Sequence, residues 1–577
     1  MISLALALVL LTAAPCPSKE DVRIGRRTSG AFREAAAKLP EELRAEAYRI
    51  TRKGRNFRIE ALTEEGAFRA RQTLKRTALL DSTVTSLFDW PRFSYRGLMI
   101  DESRSFKGKE FLKKQMEAMA LLGLNVLHLH LTDAAGWRIE IPDYPLLTEK
   151  AAWRIGRTYA EWERGGYKFA SASDPETYGG YYTAEDLREI VAYAAERFIT
   201  VIPEIEMPGH SMEVNRCYPN IACVDADGRH REFSWDLCPG NEGTFALLKA
   251  VLDTVMDIFP SRYIHIGGDE AVMKDWPLCV NCRARMEAEG FTEVSRLQGY
   301  MVRRVEKYLR EHGRAVIGWD EILETGIPEN AVVMSWRGVA GGRKASAAGH
   351  KVIMVPNTHC YFDYYQDLIR KEPLAVGPLT SLRRVYSFDP CDGLSEEQSR
   401  CILGLQANLW CEKIPTVEHA EYMLYPRLFA IAETGWNSGA KDWPAFRAKA
   451  RRMLDVFRTL GYNTFDMDTE SERALSRCWE SSRQGYNFVL QEGGPTLSYG
   501  WESGVRIIVK DEWGFRDMNG NGTLDPFEDW RLSPAERAED LRSRPDGEPL
   551  YDVKIPDADT LESFIASGMM DNPYRHL

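Results

Sequence analysis

Eight short apolar segments recur between residues 96 and 409, each followed by polar or aromatic residues. They are residues 96–101, 125–132, 200–206, 263–267, 315–319, 332–336, 351–355 and 403–409. Helical patterns lie between most of them, most clearly over 109–122, 184–198, 244–258 and 294–312. Eight strands alternating with helices over more than about 250 residues predict an α/β fold, a (β/α)8 TIM barrel. Because the carboxyl ends of barrel strands form the active-site face, the polar residues after them are predicted to share one site.

The barrel region, residues 91–465, is flanked by segments of different character. Residues 19–90 combine an alternating strand pattern with one helical pattern and predict a small α+β N-terminal domain. Residues 466–577 form a C-terminal extension. Residues 1–18 resemble a signal peptide, since a short apolar run precedes small residues, and they predict export to the periplasm or the outside of the cell. No other segment is long and apolar enough to predict a transmembrane helix.

The composition excludes some classes of partner. A net charge of −11 without a basic run argues against a nucleic-acid or anionic-membrane partner. The chain has fifteen tryptophans, whose flat apolar faces suit stacking on sugar rings, although most tryptophans in proteins lie in the core.

Cysteines concentrate in one part of the chain. Cys217, Cys223 and Cys238 fall in one predicted loop, and Cys279 and Cys282 form a CxxC pair. A zinc site normally needs a second Cys/His pair at suitable spacing, and none is evident in the sequence. We therefore expect a local disulfide or free thiols, and no metal.

The fourth apolar segment ends in Gly267-Gly268-Asp269-Glu270. Two glycines after a strand free the backbone, so that both carboxylates can reach one pocket. Close carboxylates resist ionising together, so the pKa of one is expected to rise and that group to serve as a general acid. The alternative is the acidic first turn of a helix.

The C-terminal extension contains a twelve-residue pattern, Asp517 to Glu528, with glycine at position six and glutamate at position twelve. This spacing matches an EF-hand calcium loop. Pro526 and the lack of a clear flanking helix pair weigh against it, and an ion-free turn rich in Asn, Asp and Gly is the alternative. Ca²⁺ is the one ion that the sequence suggests, and no cofactor is expected for catalysis.

Taken in order, several motifs resemble glycoside hydrolase family 20, the β-N-acetylhexosaminidases. They are RGLMID (96–101), HLHLTD (128–133) with GWR (136–138), PEIEMPGH (203–210), HIGGDE (265–270), GWDE (318–321), SWRG (335–338), YFD (361–363) and LWCE (409–412) with YPR (425–427). The resemblance covers about residues 93–436, and the 19–90 segment resembles the family's usual N-terminal companion domain.

The resemblance implies a retaining mechanism in which the sugar's own 2-acetamido oxygen attacks C1. Glu270 then matches the general acid and base, Asp269 the group that orients the acetamide, and Tyr361 a donor to the acetamide oxygen. Matches to the family's substrate contacts extend over Arg96, Asp133, His210, Trp319, Trp336, Asp363, Trp410 and Glu412. For each of these, a structural salt bridge or a core aromatic is the alternative. Leu129, Ala134 and Glu206 depart from common family residues.

The expected substrates are glycans with a terminal β-linked GlcNAc or GalNAc, such as glycoproteins, glycolipids, chitin or mucin-type oligosaccharides. The alternatives are a related enzyme for a disaccharide unit or a sulfated sugar, and a non-catalytic carbohydrate-binding barrel. Residues 515–541 are also similar to the opening segment of many family 3 glycoside hydrolases, but no second active site is predicted there.

Overall fold

The computed structural model describes residues 20–80, 82, 84–230, 234–545, 549–557 and 559–576. The predicted signal peptide, residues 1–18, lies outside the described residues. Within the described part, no helix combines the length and apolarity needed to cross a bilayer. The chain divides into two compact units, one extending to residue 363 and including 388–465, the other formed by 364–387 and 466–577.

The first unit begins with a four-stranded sheet. Its strands are β1 (Glu20–Ile24), β2 (Tyr48–Lys53), β3 (Asn56–Ala61) and β4 (Ser86–Asp89), in the order β1-β3-β2-β4. Tyr48 and Ile50 alternate with more polar residues along β2 and pack into a small core with Ile59, Ala67 and Leu74. The helix that covers this core begins after Thr63, whose side chain accepts from the N–H of Gly66. This is the predicted small α+β domain.

The rest of the first unit is a closed parallel barrel, as predicted. In chain order the strands are β5 (Tyr95–Asp101), β6 (Val126–His130), the short β7 (Thr132–Asp133), β8 (Gly136–Trp137), β9 (Trp153–Ile155) and β10 (Thr177–Gly179), then β11 (Thr200–Glu204), β12 (Tyr263–His265), β13 (Ala315–Trp319), β14 (Val332–Ser335), β15 (Val352–Met354) and β16 (Ile402–Leu409). The barrel order is β11-β12-β13-β14-β15-β16-β5-β6, and outside it β7 pairs with β8 and β9 with β10 in two-stranded antiparallel sheets. All seven residues of β5 are buried, because a parallel strand is covered on both faces.

Helices connect and cover these strands. In the first unit they are Gly30–Ala37, Glu64–Leu79, Lys109–Leu122, Leu146–Glu149, Tyr159–Arg164, Ala184–Ala195, Met212–Cys217, Glu242–Ile258, Val280–Glu289, Arg296–Glu311, Ala340–Ala347, Asn357–Cys360, Glu396–Ser399, Val417–Leu424, Arg427–Trp436 and Trp443–Thr459. The four helices that the sequence indicated most clearly are all present, with ends that differ by up to three residues.

A buried ion-pair cluster joins the small domain to the amino end of the barrel. The Glu46 carboxylate accepts from Arg69 Nε at 2.8 Å and from Arg96 Nη1 at 3.0 Å. Burial opposes ionisation of Glu46, but the two guanidinium groups outweigh it and hold its pKa below the ordinary value. The cluster therefore fixes the start of β5 against the small domain.

The second unit is built from antiparallel strands and short helices. Strands β17 (Cys478–Arg483), β18 (Tyr486–Gln491) and β19 (Leu497–Gly500) form one sheet, and β20 (Arg506–Lys510) pairs with β21 (Trp513–Asp517). Helices Leu382–Ser387, Glu472–Leu475, Pro534–Ser543 and Leu561–Ala566 complete it. The sequence did not indicate that residues 364–387 belong to this unit, and the predicted domain bounds stay predictions.

Candidate active site

Polar and aromatic side chains converge at the carboxyl ends of the barrel strands. They follow, in strand order, β5 (Arg104), β6 (Asp133), β11 (His210), β12 (Asp269, Glu270), β13 (Glu321), β14 (Trp336), β15 (Tyr361, Asp363) and β16 (Trp410, Glu412). The ion pairs and ring contacts described below connect them into one rim.

The backbone after β12 passes close to side chains of neighbouring strands. Gly267 has φ +66°, and a Cβ there would lie 1.8 Å from Glu206 Oε2. The N–H of Glu270 donates to Glu321 Oε2 at 3.1 Å. The side chain of Asp269 is only 12% exposed, whereas that of Glu270 is 60% exposed. Two adjacent carboxylates thus occupy different environments: one is enclosed and the other faces solvent.

His210 stands between these two carboxylates and a buried aspartate. Its Nδ1 lies 3.1 Å from Asp133, and its Nε2 lies 3.5 Å from an oxygen of Asp269 and of Glu270. Asp133 also pairs with Arg104 at 2.7 Å. Burial disfavours a charged imidazole, but Asp133 and Asp269 outweigh it and raise the pKa of His210 well above its usual value. A cationic His210 therefore bridges the acidic groups.

The sequence predicted a raised pKa for one of the two adjacent carboxylates, and for Glu270, the residue matched to the general acid, this is wrong. His210, beside its carboxylate, lowers the pKa of Glu270 below the ordinary value. The raised values belong to two neighbouring carboxyls on which burial and nearby negative charge prevail. Burial and then the charge of Asp269 raise the pKa of Glu206 strongly and that of Glu321 to about 7.

A buried polar cluster supports the rim from inside the barrel. Glu204, at the end of β11, lies 2.6 Å from His130 Nδ1 and accepts from Trp319 Nε1 at 2.9 Å. His130 Nε2 in turn lies 3.2 Å from Asp133. Burial disfavours charge on His130, but Glu204 and Asp133 outweigh it and raise its pKa to about 10. Glu204 thereby positions the Trp319 ring, and it is connected to His210 through His130 and Asp133.

Four aromatic rings line one side of the rim. The Trp410 ring centroid lies 5.8 Å from that of Trp319 and 6.2 Å from that of Tyr361. Trp336 stacks on Tyr361 with 6.1 Å between centroids and 18° between planes. Asp320 fixes the Trp336 segment by accepting its backbone N–H at 3.2 Å. The four rings that the sequence singled out are thus brought together.

The other side of the rim is polar. The Arg104 guanidinium lies 5.0 Å from the Trp410 ring centroid, and its Nη2 is 3.7 Å from Glu412. Asp363 Oδ1 and Glu412 Oε2 are buried and have no hydrogen-bond partner within the described residues. Burial, followed by the charge of Glu412, raises the pKa of Asp363 well above its usual value. Buried oxygens of this kind are normally satisfied by a partner, so a polar ligand fits here.

Comparisons with known proteins decide the family. A family model described as glycosyl hydrolase family 20, catalytic domain, matches residues 93–439. The chain belongs to glycoside hydrolase family 20. It is 39% identical over 440 residues to a beta-hexosaminidase of Porphyromonas gingivalis, a match that covers 73% of this chain and 54% of that protein. To a beta-hexosaminidase of Akkermansia muciniphila it is 30% identical over 491 residues, which cover 81% of this chain and 94% of that protein.

A solved structure of the same family supports this. A crystal structure of a GH20 exo beta-N-acetylglucosaminidase from Vibrio harveyi, in complex with N-acetylglucosamine, matches with a TM-score of 0.66 and 30% identity. The match covers 78% of this chain and 69% of that one. The chain spans about half the length of the Porphyromonas relative and 65% of a Vibrio furnissii beta-hexosaminidase.

One predicted contact of this family 20 chain is wrong. Arg96 lies at the start of β5, fully buried against Glu46, at the opposite end of the strand from the rim. Its guanidinium also donates to the backbone oxygens of Gly123 and Phe93. Arg104, which the sequence analysis missed, is the arginine at the rim. Its position just after Asp101, at the carboxyl end of the strand, was the signal that could have identified it.

The predicted calcium loop follows strand β21, not a helix, so residues 517–528 are not part of a helix-loop-helix pair. Asp517 Oδ1 is buried and has no hydrogen-bond partner within the described residues. Glu528 accepts the N–H groups of Met518 at 2.6 Å and Asp525 at 3.1 Å. Calcium binding stays a prediction.

Of the two expected states of the cysteines, a local disulfide or free thiols, the structure has free thiols. Cys223, Cys238, Cys279 and Cys282 are all buried, unbonded and close together. The reason given against zinc, the lack of a second pair, is therefore wrong: Cys223 and Cys238 are that pair. Their separation from the CxxC in the sequence concealed it.

Proposed function

We propose that this protein is an exo-acting β-N-acetylhexosaminidase that hydrolyses terminal β-linked GlcNAc or GalNAc by a substrate-assisted retaining mechanism. One observation carries the proposal: Asp269 and Glu270 flank a single histidine, with one carboxylate enclosed and the other exposed. An acid–nucleophile pair would need two carboxylates facing each other across the sugar. Here the enclosed carboxylate suits the acetamide, and the exposed one suits the glycosidic oxygen.

In the first step Glu270 gives a proton to the departing glycosidic oxygen, while the acetamido carbonyl oxygen forms a bond to C1. The C1–O bond breaks and an oxazolinium intermediate results. Glu270 then takes a proton from the water that attacks C1 and opens the ring. A bound sugar covers the exposed Glu270 side chain and removes water from it, which raises its pKa towards that of a working acid.

Asp269 has the environment needed for the group that holds the acetamide. Its Oδ1 is buried and has no partner in the described part of the chain. An acetamido N–H would satisfy this oxygen, orient the carbonyl towards C1 and stabilise the positive charge that develops on nitrogen. Tyr361 lies between Trp336 and Trp410, and its hydroxyl donates to the acetamide oxygen in the proposed complex. The three rings enclose the methyl group of the acetamide.

The polar side of the rim explains recognition of the end of a glycan. Asp363 and Glu412 each have a buried oxygen without a hydrogen-bond partner in the described part of the chain, and Arg104 lies 3.7 Å from Glu412. Hydroxyls of a terminal sugar would fill these positions, and charged hydrogen bonds to them discriminate strongly against sugars that lack the hydroxyl. Contacts of this kind to the hydroxyls of a terminal sugar favour a non-reducing end, which supports exo action.

Export is part of the proposal, since residues 1–18 resemble a signal peptide. Glycans of glycoproteins, glycolipids, chitin or mucins are then the substrates. Immunoblotting of cell fractions tests the location: the chain is expected, shortened, in the periplasm or medium, and full-length chain confined to the cytoplasm would refute export.

The reaction is tested with 4-nitrophenyl β-glycosides of GlcNAc, GalNAc and glucose. The two N-acetyl sugars are expected to be hydrolysed and the glucoside to be at least about a hundredfold slower, because it lacks the nucleophile. NMR of the first-formed sugar is expected to give the β-anomer. Equal rates on all three glycosides would exclude the acetamide mechanism.

Glu270→Gln tests the acid role. It is expected to lower kcat on an unactivated disaccharide by about 10²–10⁴-fold, the usual contribution of a general acid. The matched control is Glu329→Gln, which changes an exposed carboxylate. Wild-type-like turnover by Glu270→Gln would refute the assignment. Binding of a thiazoline inhibitor without hydrolysis by the wild type would support the binding-only alternative instead.

A further inference from the structure

Four cysteine thiols from two distant parts of the chain meet at one point. Cys223 and Cys238 come from the loop before helix Glu242–Ile258, and Cys279 and Cys282 from the start of helix Val280–Glu289. The measured Sγ–Sγ distances are 3.9 Å between Cys223 and Cys282, 3.7 Å between Cys238 and Cys279, and 3.5 Å between Cys238 and Cys282. All four sulfurs lie within 4.8 Å of one another.

These distances fit a metal better than disulfides. Bonded sulfurs are about 2.05 Å apart, well below any of the measured values. Four thiolates at about 2.3 Å from a zinc ion, at the corners of a tetrahedron, are about 3.8 Å from each other. The measured distances lie around that edge length.

The surroundings also suit a closed metal site. All four cysteines are buried, together with Trp276 and Leu297. Cys279 is the N-cap of its helix and Cys282 lies in the first turn, where the helix dipole favours thiolate over thiol. A Cβ on Gly240 would lie 2.2 Å from the Asn281 carbonyl carbon, so the two segments already touch through their backbones.

We propose that Cys223, Cys238, Cys279 and Cys282 bind one Zn²⁺ ion as a structural four-cysteine site. Soft thiolate ligands in a tetrahedral set select zinc over harder divalent ions, and four protein ligands leave no open position for chemistry. Binding replaces four S–H bonds by four Zn–S bonds and releases four protons to solvent. The resulting complex carries a charge of −2, and no redox change is involved.

The site fastens the loop that supports the rim. Within this loop Asp236 accepts the N–H groups of Val272 and Met273 at 3.1 and 2.6 Å. The N–H of Leu237 donates to Pro208 at 2.8 Å. Glu270 and His210 each lie two residues from a backbone group held in this way. The ion is therefore a positioning element for the segments that carry the acid and its histidine.

Elemental analysis of the full chain, purified without chelators, tests the proposal. One zinc per chain is expected in the wild type. The double variant Cys279→Ser, Cys282→Ser is expected to lose the zinc, whereas Cys217→Ser, which changes a cysteine outside the cluster, is expected to keep it. If the double variant folds, its kcat is expected to be roughly tenfold or more below that of the wild type, because small displacements of catalytic groups lower the rate strongly.

The wild type alone also decides the matter if the double variant does not fold. Cobalt in place of zinc, introduced by refolding, is expected to give thiolate charge-transfer bands and the visible bands of a tetrahedral ion. Two results for active, metal-free protein would overturn the proposal. One is an intact mass lower by two hydrogens for each disulfide formed, and the other is reaction of all four thiols with an alkylating reagent. Stoichiometric iron in place of zinc would overturn it as well.

Discussion

At the scale of single residues, the charged neighbours of a side chain decide its role where the residue type alone does not. Arg96 and Arg104 lie at opposite ends of β5, and only the second reaches the rim carboxylates. Asp269 and Glu270 are adjacent in sequence, yet His210 lowers the pKa of Glu270. Neither result follows from the motif that contains these residues, because both depend on side chains from other strands.

Glu321 gives a test at this scale, because its pKa is raised to about 7 by burial and by Asp269. Below pH 7 it is neutral, and above pH 7 its negative charge favours the protonated form of nearby Glu270. Glu321→Gln removes that charge while still accepting the Glu270 N–H. The alkaline limb of kcat, which reports the acid in the complex with bound sugar, is therefore expected to move to lower pH by less than about one unit, as a Coulomb energy near 1 kcal/mol allows.

The measurement is kcat for the GlcNAc aryl glycoside across the pH range. Glu324→Gln is the matched control, since this carboxylate is in the same 3-10 helix but 61% exposed and paired with Arg337. Coinciding pH profiles for wild type and Glu321→Gln would show that Glu321 does not act on the acid.

At the scale of elements, the barrel strands were predictable because buried parallel strands are continuous apolar runs with turn residues at their ends. The two-stranded sheets β7–β8 and β9–β10 were not predicted, since strands of two or three residues carry almost no periodic signal. The same holds for the calcium loop: its spacing is visible in the sequence, but the strand in front of it is evident only in the structure.

Calcium binding by the 517–528 loop is testable by thermal unfolding. When calcium is added back to calcium-depleted protein, the free energy of unfolding of the second unit is expected to rise. The expected rise is about 2.7 kcal/mol when the ion is at a hundred times its Kd. Asp517→Asn should abolish the gain, because it alters the carboxylate with a free buried oxygen. Asp511→Asn, at a carboxylate paired with Arg531, should retain it. A Tm unaffected by calcium in the wild type would leave the segment as an ion-free turn.

At the scale of the first unit, stability depends on the junction between the small domain and the barrel. Glu46 neutralises two arginines that are both buried, Arg69 and Arg96. Removing one partner of a buried ion pair leaves an uncompensated charge, which costs about 3–5 kcal/mol. The junction is therefore a structural site that the sequence presented as a sugar contact.

Glu46→Ala is expected to lower the urea midpoint of the first unit by an amount that corresponds to this cost. Glu42→Ala, in the same 3-10 helix but exposed, is the control. Because the folded pKa of Glu46 is lowered, its contribution is present above the unfolded value and is lost as pH falls through the folded pKa. A difference between the two variants that persists unchanged in strong acid would contradict this account.

The sequence by itself determined the eight-stranded barrel, the small α+β domain and most residues of the rim, including Asp269, Glu270, Tyr361 and Trp410. These follow from local information: apolar runs, turn residues and ordered motifs. The tertiary structure decided which arginine reaches the site, which carboxyl has a raised pKa and which cysteines meet. The reason is physical, because a pKa and a ligand set depend on distances between segments that are far apart in sequence, as for Cys223 and Cys282, which are separated by 59 positions.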